Sequence, residues 1–231
     1  MTNEQSPQKK RGSRLVDGAD IRGTPLYDRK GDEIAALEDL VIDAAAGKTR
    51  YALLRLAGTS SLRPLPWEQL RLDVQSGSYS ADISDRQLRQ TPSLKSGDAA
   101  SGSEGWRQEK SLIPVTELAD VPLTGTKGQK LGCIREVIID RASGQIVYAL
   151  MESGNAGTAA PESHAYPLPW ALIIYDHDSK GFRLELDPEH LKRAPVVQGT
   201  RPFDWEDRVW AERLHEHYGV QPRWTLRSVS P

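Results

Sequence analysis

Apolar and polar residues alternate with a period of two from Ile34 to Ile42, with Ile34, Ala36, Leu40 and Ile42 on one face and Leu37 and Val41 on the other. Asp43 to Gly47 supplies a turn before a second apolar run, Tyr51-Ala-Leu-Leu-Arg-Leu, so the pattern predicts an antiparallel hairpin. Two partly apolar faces on one strand predict a sheet covered on both sides, by a curled interior and by something packed outside. Proline lacks the ladder donor, so Pro64-Leu-Pro-Trp67 is expected at an edge or a strand start. Ser84 is expected to cap a short helix ending near Leu88.

The pattern occurs twice. Gly31, Ile42, Asp43, Gly47 and the triplet Tyr51-Ala-Leu return at an offset of 97 as Gly128, Ile139, Asp140, Gly144 and Tyr148-Ala-Leu. Pro64–Trp67 returns as Pro167–Trp170 at an offset of 103, so the second copy carries a loop six residues longer, within Ser153–Ser163. Tyr79 and Phe182 continue the second offset, and each copy closes at a proline, Pro92 or Pro195. Units of about 80 residues suit a small barrel and are too long for a solenoid repeat. The reading is one repeat over 14–92 and a second over 110–195. A Ser/Gly/Ala-rich linker, expected to be flexible, occupies 93–109, where Trp106 is the residue able to dock; the tail 1–13 is expected to be disordered.

The segment 203–219 predicts a C-terminal helix, with Asp204 as the expected N-cap, Gly219 after the last turn and Pro222 beyond. At 100° per residue Trp205 and Val209 form one apolar stripe, and Trp210, Leu214 and Tyr218 form another about 140° to 220° away. A helix packed only on its own domain needs one stripe. Trp205, Trp210, Leu214 and Tyr218 are therefore the expected contacts to the other unit, the Trp224 tail or a partner chain.

The 231 residues are 38% hydrophobic and 27% charged, with a net charge of -2, which describes a globular chain with no bulk field for a polyphosphate backbone. Nucleic-acid binding is disfavoured. A single cysteine excludes an intramolecular disulfide, and no apolar run reaches the roughly 20 residues of a membrane helix. The basic start of the chain has no apolar core of a signal peptide, so the expected location is cytoplasmic.

Catalytic signatures are sparse. Gly125-Thr-Lys-Gly128-Gln-Lys-Leu-Gly132 lacks the phosphate-loop spacing and reads as a tight turn, and Cys133 aligns with Ala36, a strand position suited to packing. His215 and His217 lie about 200° apart on a helix and cannot share a metal. Asp43 and Asp140 read as turn residues, and Trp67 and Trp170 as plugs at the ends of the barrels. Neither a metal nor a cofactor is expected. Position 38 differs: Glu38 is Arg135 in the second copy, so a pseudo-twofold packing would bring opposite charges together as an inter-repeat contact.

These motifs resemble the PRC-barrel family. The resemblance rests on Gly31-Asp-Glu-Ile, Leu37-Glu-Asp-Leu-Val-Ile-Asp43, Gly47, Tyr51-Ala-Leu-Leu and Pro66-Trp67 with Leu70-Arg-Leu-Asp73. The second copy matches with Gly128, Leu131-Gly132, Val137-Ile-Ile-Asp140, Gly144, Tyr148-Ala-Leu and Pro169-Trp170. The tail from Trp205 to Trp224 is similar to an extension of bacterial members. The resemblance implies a small β-barrel used as a binding module, as in the cytoplasmic part of the photosynthetic reaction-centre H subunit and in a ribosome-maturation factor. The expected fold is mainly β, two tandem small antiparallel β-barrels with a C-terminal α-helix. The expected function is a non-catalytic adaptor that binds a protein partner or self-associates. The alternatives are an RNA- or ribosome-associated maturation factor and an H-subunit-like role in a photosynthetic electron-transfer complex.

Overall fold

A computed structural model of the chain describes residues 13–93, 111–153, 165–197 and 203–222. The expected tail and linker, Trp106 and Trp224 lie outside these residues, apart from the end positions 13 and 93. The first repeat contains β1 (Leu15–Asp17), β2 (Pro25–Tyr27), β3 (Glu33–Asp43), β4 (Lys48–Arg55), β5 (Leu62–Pro66), β6 (Leu70–Asp73), β7 (Ser78–Ala81) and α1 (Asp85–Gln90). The second contains β8 (Leu112–Pro114), β9 (Pro122–Gly125), β10 (Lys130–Asp140), β11 (Ile146–Ser153), β12 (Ala165–Pro169), β13 (Ile173–Asp176), β14 (Gly181–Leu184) and α2 (Pro188–Lys192). The last helix, α3, is Arg208–Tyr218.

The fold is mainly β, with two sheets of seven strands ordered β5-β4-β3-β2-β7-β6 and β12-β11-β10-β9-β14-β13. The proline strands β5 and β12 stand at the ends of these paths, where missing ladder donors cost little. The expected all-antiparallel pairing is corrected at one place in each sheet: β2–β7 and β9–β14 are parallel. Direction reverses at every antiparallel pairing, and the parallel pair requires one reversal to be skipped. That happens where β5 runs on into β6, and β12 into β13, across the single 3-10 turns at Trp67–Gln69 and Trp170–Leu172.

The seventh strand of each sheet comes from the other repeat. β1 pairs with β10 in the register Leu15↔Asp140, Val16↔Ile139, Asp17↔Ile138. β8 pairs with β3 as Leu112↔Asp43, Ile113↔Ile42, Pro114↔Val41. Adding 97 to every number of the second set's β3 and subtracting it from its β8 reproduces the first set, so the exchange is reciprocal about a pseudo-twofold axis. The axis passes the antiparallel bridge Lys48↔Gln145, itself a pair of repeat equivalents. On either side Thr49 N–H donates to Gly144 O (2.8 Å) and Ile146 N–H to Gly47 O (3.0 Å). A single apolar core runs through both repeats, from Leu26, Leu37 and Tyr79 to Ile138, Tyr148 and Phe182. The sequence repeats are therefore not separate sheets: each lends its first strand to the other.

A β-bulge interrupts each long strand. Leu37 faces Leu54 and Asp39 faces Leu53, which leaves Glu38 without an opposite residue; Ile134 faces Met151 and Glu136 faces Leu150, which leaves Arg135 so. A bulge shifts the alternation by one. Leu37 consequently joins Leu40 and Ile42 in the main core instead of lying on the opposite face, whereas Val41 packs outside with Leu53, Leu62 and Leu112.

The C-terminal helix begins one turn later than expected. Asp207, not Asp204, is the N-cap, accepting from Val209 N–H (3.0 Å) and Trp210 N–H (3.2 Å). Asp204 is occupied by its own turn, with Asp207 N–H bonded to its carbonyl and Glu206 N–H to its side chain. Gly219 closes the helix in the left-handed conformation, φ +65°.

Candidate functional site

The strand exchange opens a cleft of about 180 Å³ at the bulges. Its lining consists of five pairs of repeat equivalents: Gly18 with Val115, Ala19 with Thr116, Arg22 with Ala119, Glu38 with Arg135 and Asp39 with Glu136. The cleft thus straddles the pseudo-twofold axis and needs both repeats. Glu38 and Arg135 both line it, but each is paired inside its own repeat. Glu38 Oε2 accepts from Arg55 Nε at 3.0 Å, and Arg135 Nη1 donates to Glu152 Oε2 at 2.9 Å. Position 55 is the equivalent of 152, so the bulge carries the same cross-strand ion pair in both copies with the charges exchanged. The Arg55 and Arg22 guanidiniums hold the Glu38 carboxyl below its usual range against a smaller effect of burial.

At and beside the cleft two further carboxyls are governed by burial. Asp39 is buried and accepts from Thr116 Oγ1 (2.6 Å) and Leu40 N–H (2.8 Å); burial outweighs these bonds and pushes its carboxyl up. Asp17, at the end of the exchanged strand β1, is pushed up to about 8 by burial first, then by a hydrogen bond to and the charge of Glu136. A carboxyl buried beside a like charge favours its protonated form. Among the described residues no group of three His, Cys, Asp or Glu side chains is placed to hold a metal. The Thr116 hydroxyl is engaged by Asp39, and Cys133 is buried in β10.

The helix residues predicted for partner contact gather over the second repeat. Leu214 and Tyr218 are buried in the common core, and Trp205 and Trp210 pack half-buried against it. Tyr148 of β11 is their platform, with ring centroids 6.2 Å from Trp205, 5.9 Å from Trp210 and 5.7 Å from His215. Phe203 closes the cluster at 4.7 Å and 4.6 Å from the two tryptophans. The second stripe is therefore met within the chain: Trp205 precedes the helix, and Val209 is the large apolar residue left 59% exposed. His215 Nε2 lies 3.2 Å from the Tyr148 hydroxyl, while His217 and His190 each donate from Nε2 to the other's backbone carbonyl. The two helix histidines thus serve different neighbours, and burial lowers the affinity of His215 for a proton. Glu206 ties this region to the exchanged strand by accepting from Arg14 N–H and Leu15 N–H.

The architecture defines a class: a tandem of small β-domains, duplicated in sequence and joined by exchange of their first strands. The family model of the PRC-barrel domain matches the chain twice, over residues 14–87 and 108–191, and the chain belongs to that family. No curated protein matches it. Among the described residues no helix is long and apolar enough to cross a membrane.

Sequence reasoning reaches Glu38 and Arg135 through the repeat but not their partners. The signal is present: Glu38 with Arg55 and Arg135 with Glu152 keep a spacing of 17 and exchange charge. Asp17, Asp39, Thr116 and Glu136 escape it, because local pattern does not say which strands meet across the axis.

Proposed function

We propose that the chain is a cytoplasmic, non-catalytic adaptor whose two PRC-barrel repeats together hold a protein partner at the cleft on their axis. The observation that carries this reading is that the cleft exists only where both repeats meet, with bulges directing Glu38 and Arg135 to it. A bulge repeated in both copies re-aims one side chain out of the ladder, and here both carry charge of opposite sign. Its polar side chains are engaged in structural pairs, which favours recognition over chemistry. A cleft whose interior holds Asp39 and Glu136 repels phosphate, and this favours a protein partner over RNA or a ribosomal subunit.

A photo-cross-linker at Ala119, on the cleft, tests the reading against one at Val74, on the exposed β6–β7 turn. The same protein should be captured from the native cell at Ala119 and not at Val74, and Arg135→Glu should abolish capture while leaving the fold intact. Capture that is equal at both positions, or unaffected by Arg135→Glu, would sink the proposal, as would co-sedimentation of the chain with ribosomal subunits at physiological salt.

A further inference from the structure

The pseudo-twofold axis relates backbones faithfully and side chains unfaithfully, and the differences across the interface come in complementary sets. Arg141 of repeat 2 is buried against repeat 1: its guanidinium reaches Gly77 O and lies 5.4 Å from the Tyr79 ring centroid, whose hydroxyl donates to Arg141 O at 3.2 Å. At the equivalent contact across the axis the residues are Ala44, Lys180 and Phe182. A large cation thus meets a glycine on one side, while the equivalent positions on the other carry an alanine and a lysine. A Cβ at Gly77 would stand 3.4 Å from Arg141 Nη1. The cleft follows the same logic. Asp39 of repeat 1 takes the Thr116 hydroxyl, while its equivalent Glu136 lines the cleft with Ala19 in place of a hydroxyl and lies beside Asp17, whose carboxyl it helps push up.

Like-with-like pairing undoes the cleft set in one case and the Arg141 set in the other. Two copies of repeat 1 would set Asp39 against Ala19, without the hydroxyl, and Asp17 beside Asp39. Two copies of repeat 2 would set Arg141 against Lys180 in place of Gly77, a second cation where one guanidinium already fills the space. We propose that the repeat interface is heterospecific: repeat 1 recognises repeat 2, in its own chain or in a second copy, and neither recognises itself. This stands whether or not the cleft receives an external partner. It uses both arms of specificity, attraction in the mixed pair and unmatched charge in the pure ones.

The test uses the full chain carrying a protease site within residues 94–110, cut after folding, in unlabelled and 15N-labelled forms. The two are mixed, held in sub-denaturing urea until the label has exchanged, and weighed by native mass spectrometry. Label-crossed pairs of repeat 1 with repeat 2 are expected to outnumber like pairs by at least about tenfold, the ratio that a difference of ~1.4 kcal/mol produces. Like pairs in statistical proportion, or halves that separate as single repeats, would overturn the proposal. Arg141→Ala with Lys180→Gly removes the clash between two copies of repeat 2, and pairs of repeat 2 with itself should then appear; their absence would equally overturn it.

Discussion

Replacing Gly47 by alanine tests the arrangement of the two repeats directly. The residue sits at φ +64°, and a Cβ there would lie 2.4 Å from Trp170 Nε1 and 2.5 Å from Trp170 Cδ1 of the other repeat. Ordinary contact begins near 3.5 Å, so the ring or the turn must give way by about 1 Å. Overpacking of this kind costs about 1–3 kcal/mol, and the left-handed backbone adds roughly 1 kcal/mol for a residue with a Cβ. The sum is about 2–4 kcal/mol. Gly31→Ala is the internal control, because Gly31 has φ +85° and a Cβ added there would meet nothing within 4 Å, so that it isolates the backbone contribution. At ~2–4 °C per kcal/mol for a chain of this size, thermal unfolding should fall by about 5–15 °C for Gly47→Ala and by only a few degrees for Gly31→Ala. Gly144→Ala, whose Cβ would stand 2.5 Å from Trp67 Cδ1, should match Gly47→Ala. Equal losses at Gly31 and Gly47 would refute the reciprocal seating of the tryptophans. Combining Gly47→Ala with Trp170→Phe should cost less than the two changes summed, since only contacting residues couple in a double-mutant cycle.

The Asp17 carboxyl, about 8 when folded against 3.8 in the unfolded chain, makes stability fall as pH rises between those values, by on the order of 1 kcal/mol per pH unit, and its contribution is gone above about 8. Asp17→Asn should flatten that decline in urea midpoints measured from about pH 5 to about 8; an unchanged slope would discard the raised Asp17 carboxyl. Glu38→Arg should cost less than about 1 kcal/mol, because its pair with Arg55 is partly exposed, and adding Arg55→Glu should restore the loss by copying the order found at Arg135 and Glu152. Asp207→Ala should cost about 1 kcal/mol and shift tryptophan fluorescence, since the cap anchors the helix beside Trp205 and Trp210. Asp204→Ala, outside the helix, should do less in the same assay.

What is legible in the chain is local or repeated. The hairpin of β3 and β4, the edge position of the proline strands and the cap at Ser84 follow from residue chemistry within a few positions. The repeat itself reports the two sheets. The strand exchange is not legible, because Leu15–Asp17 and Leu112–Pro114 are three-residue strands whose composition is equally suited to either sheet. The bulges escape for a related reason: Ile34, Ala36, Leu40 and Ile42 keep an unbroken even spacing in sequence, and only pairing with β4 reveals that Glu38 is an extra residue. Gly47 and Gly144 read as turn residues, but a turn explains only their positive φ and not the indole that fills the space beside each. The helix shows its two stripes but not their owners, since a Trp at 205 lies before the helix that the periodicity extends through it.

Duplication within one chain gives this fold a freedom that an assembly of two identical chains lacks. Around an exact twofold axis every residue lining an axial cleft appears twice, so a partner meets two equivalent orientations. Here the backbone keeps the symmetry while the equivalent of Arg22 is Ala119, that of Thr116 is Ala19 and that of Glu38 is Arg135. The pairs at the cleft and around Arg141 have changed, while the backbone bonds that build the exchange, such as Ala44 N–H to Ser111 O and Arg141 N–H to Arg14 O, recur unchanged at the same offset. The exchange thus fixes the frame, and divergence of the side chains within it makes the cleft polar in direction. A partner bearing one charged group of each sign would dock in one orientation rather than two, because reversing it would set its anion against Glu38 and its cation against Arg135.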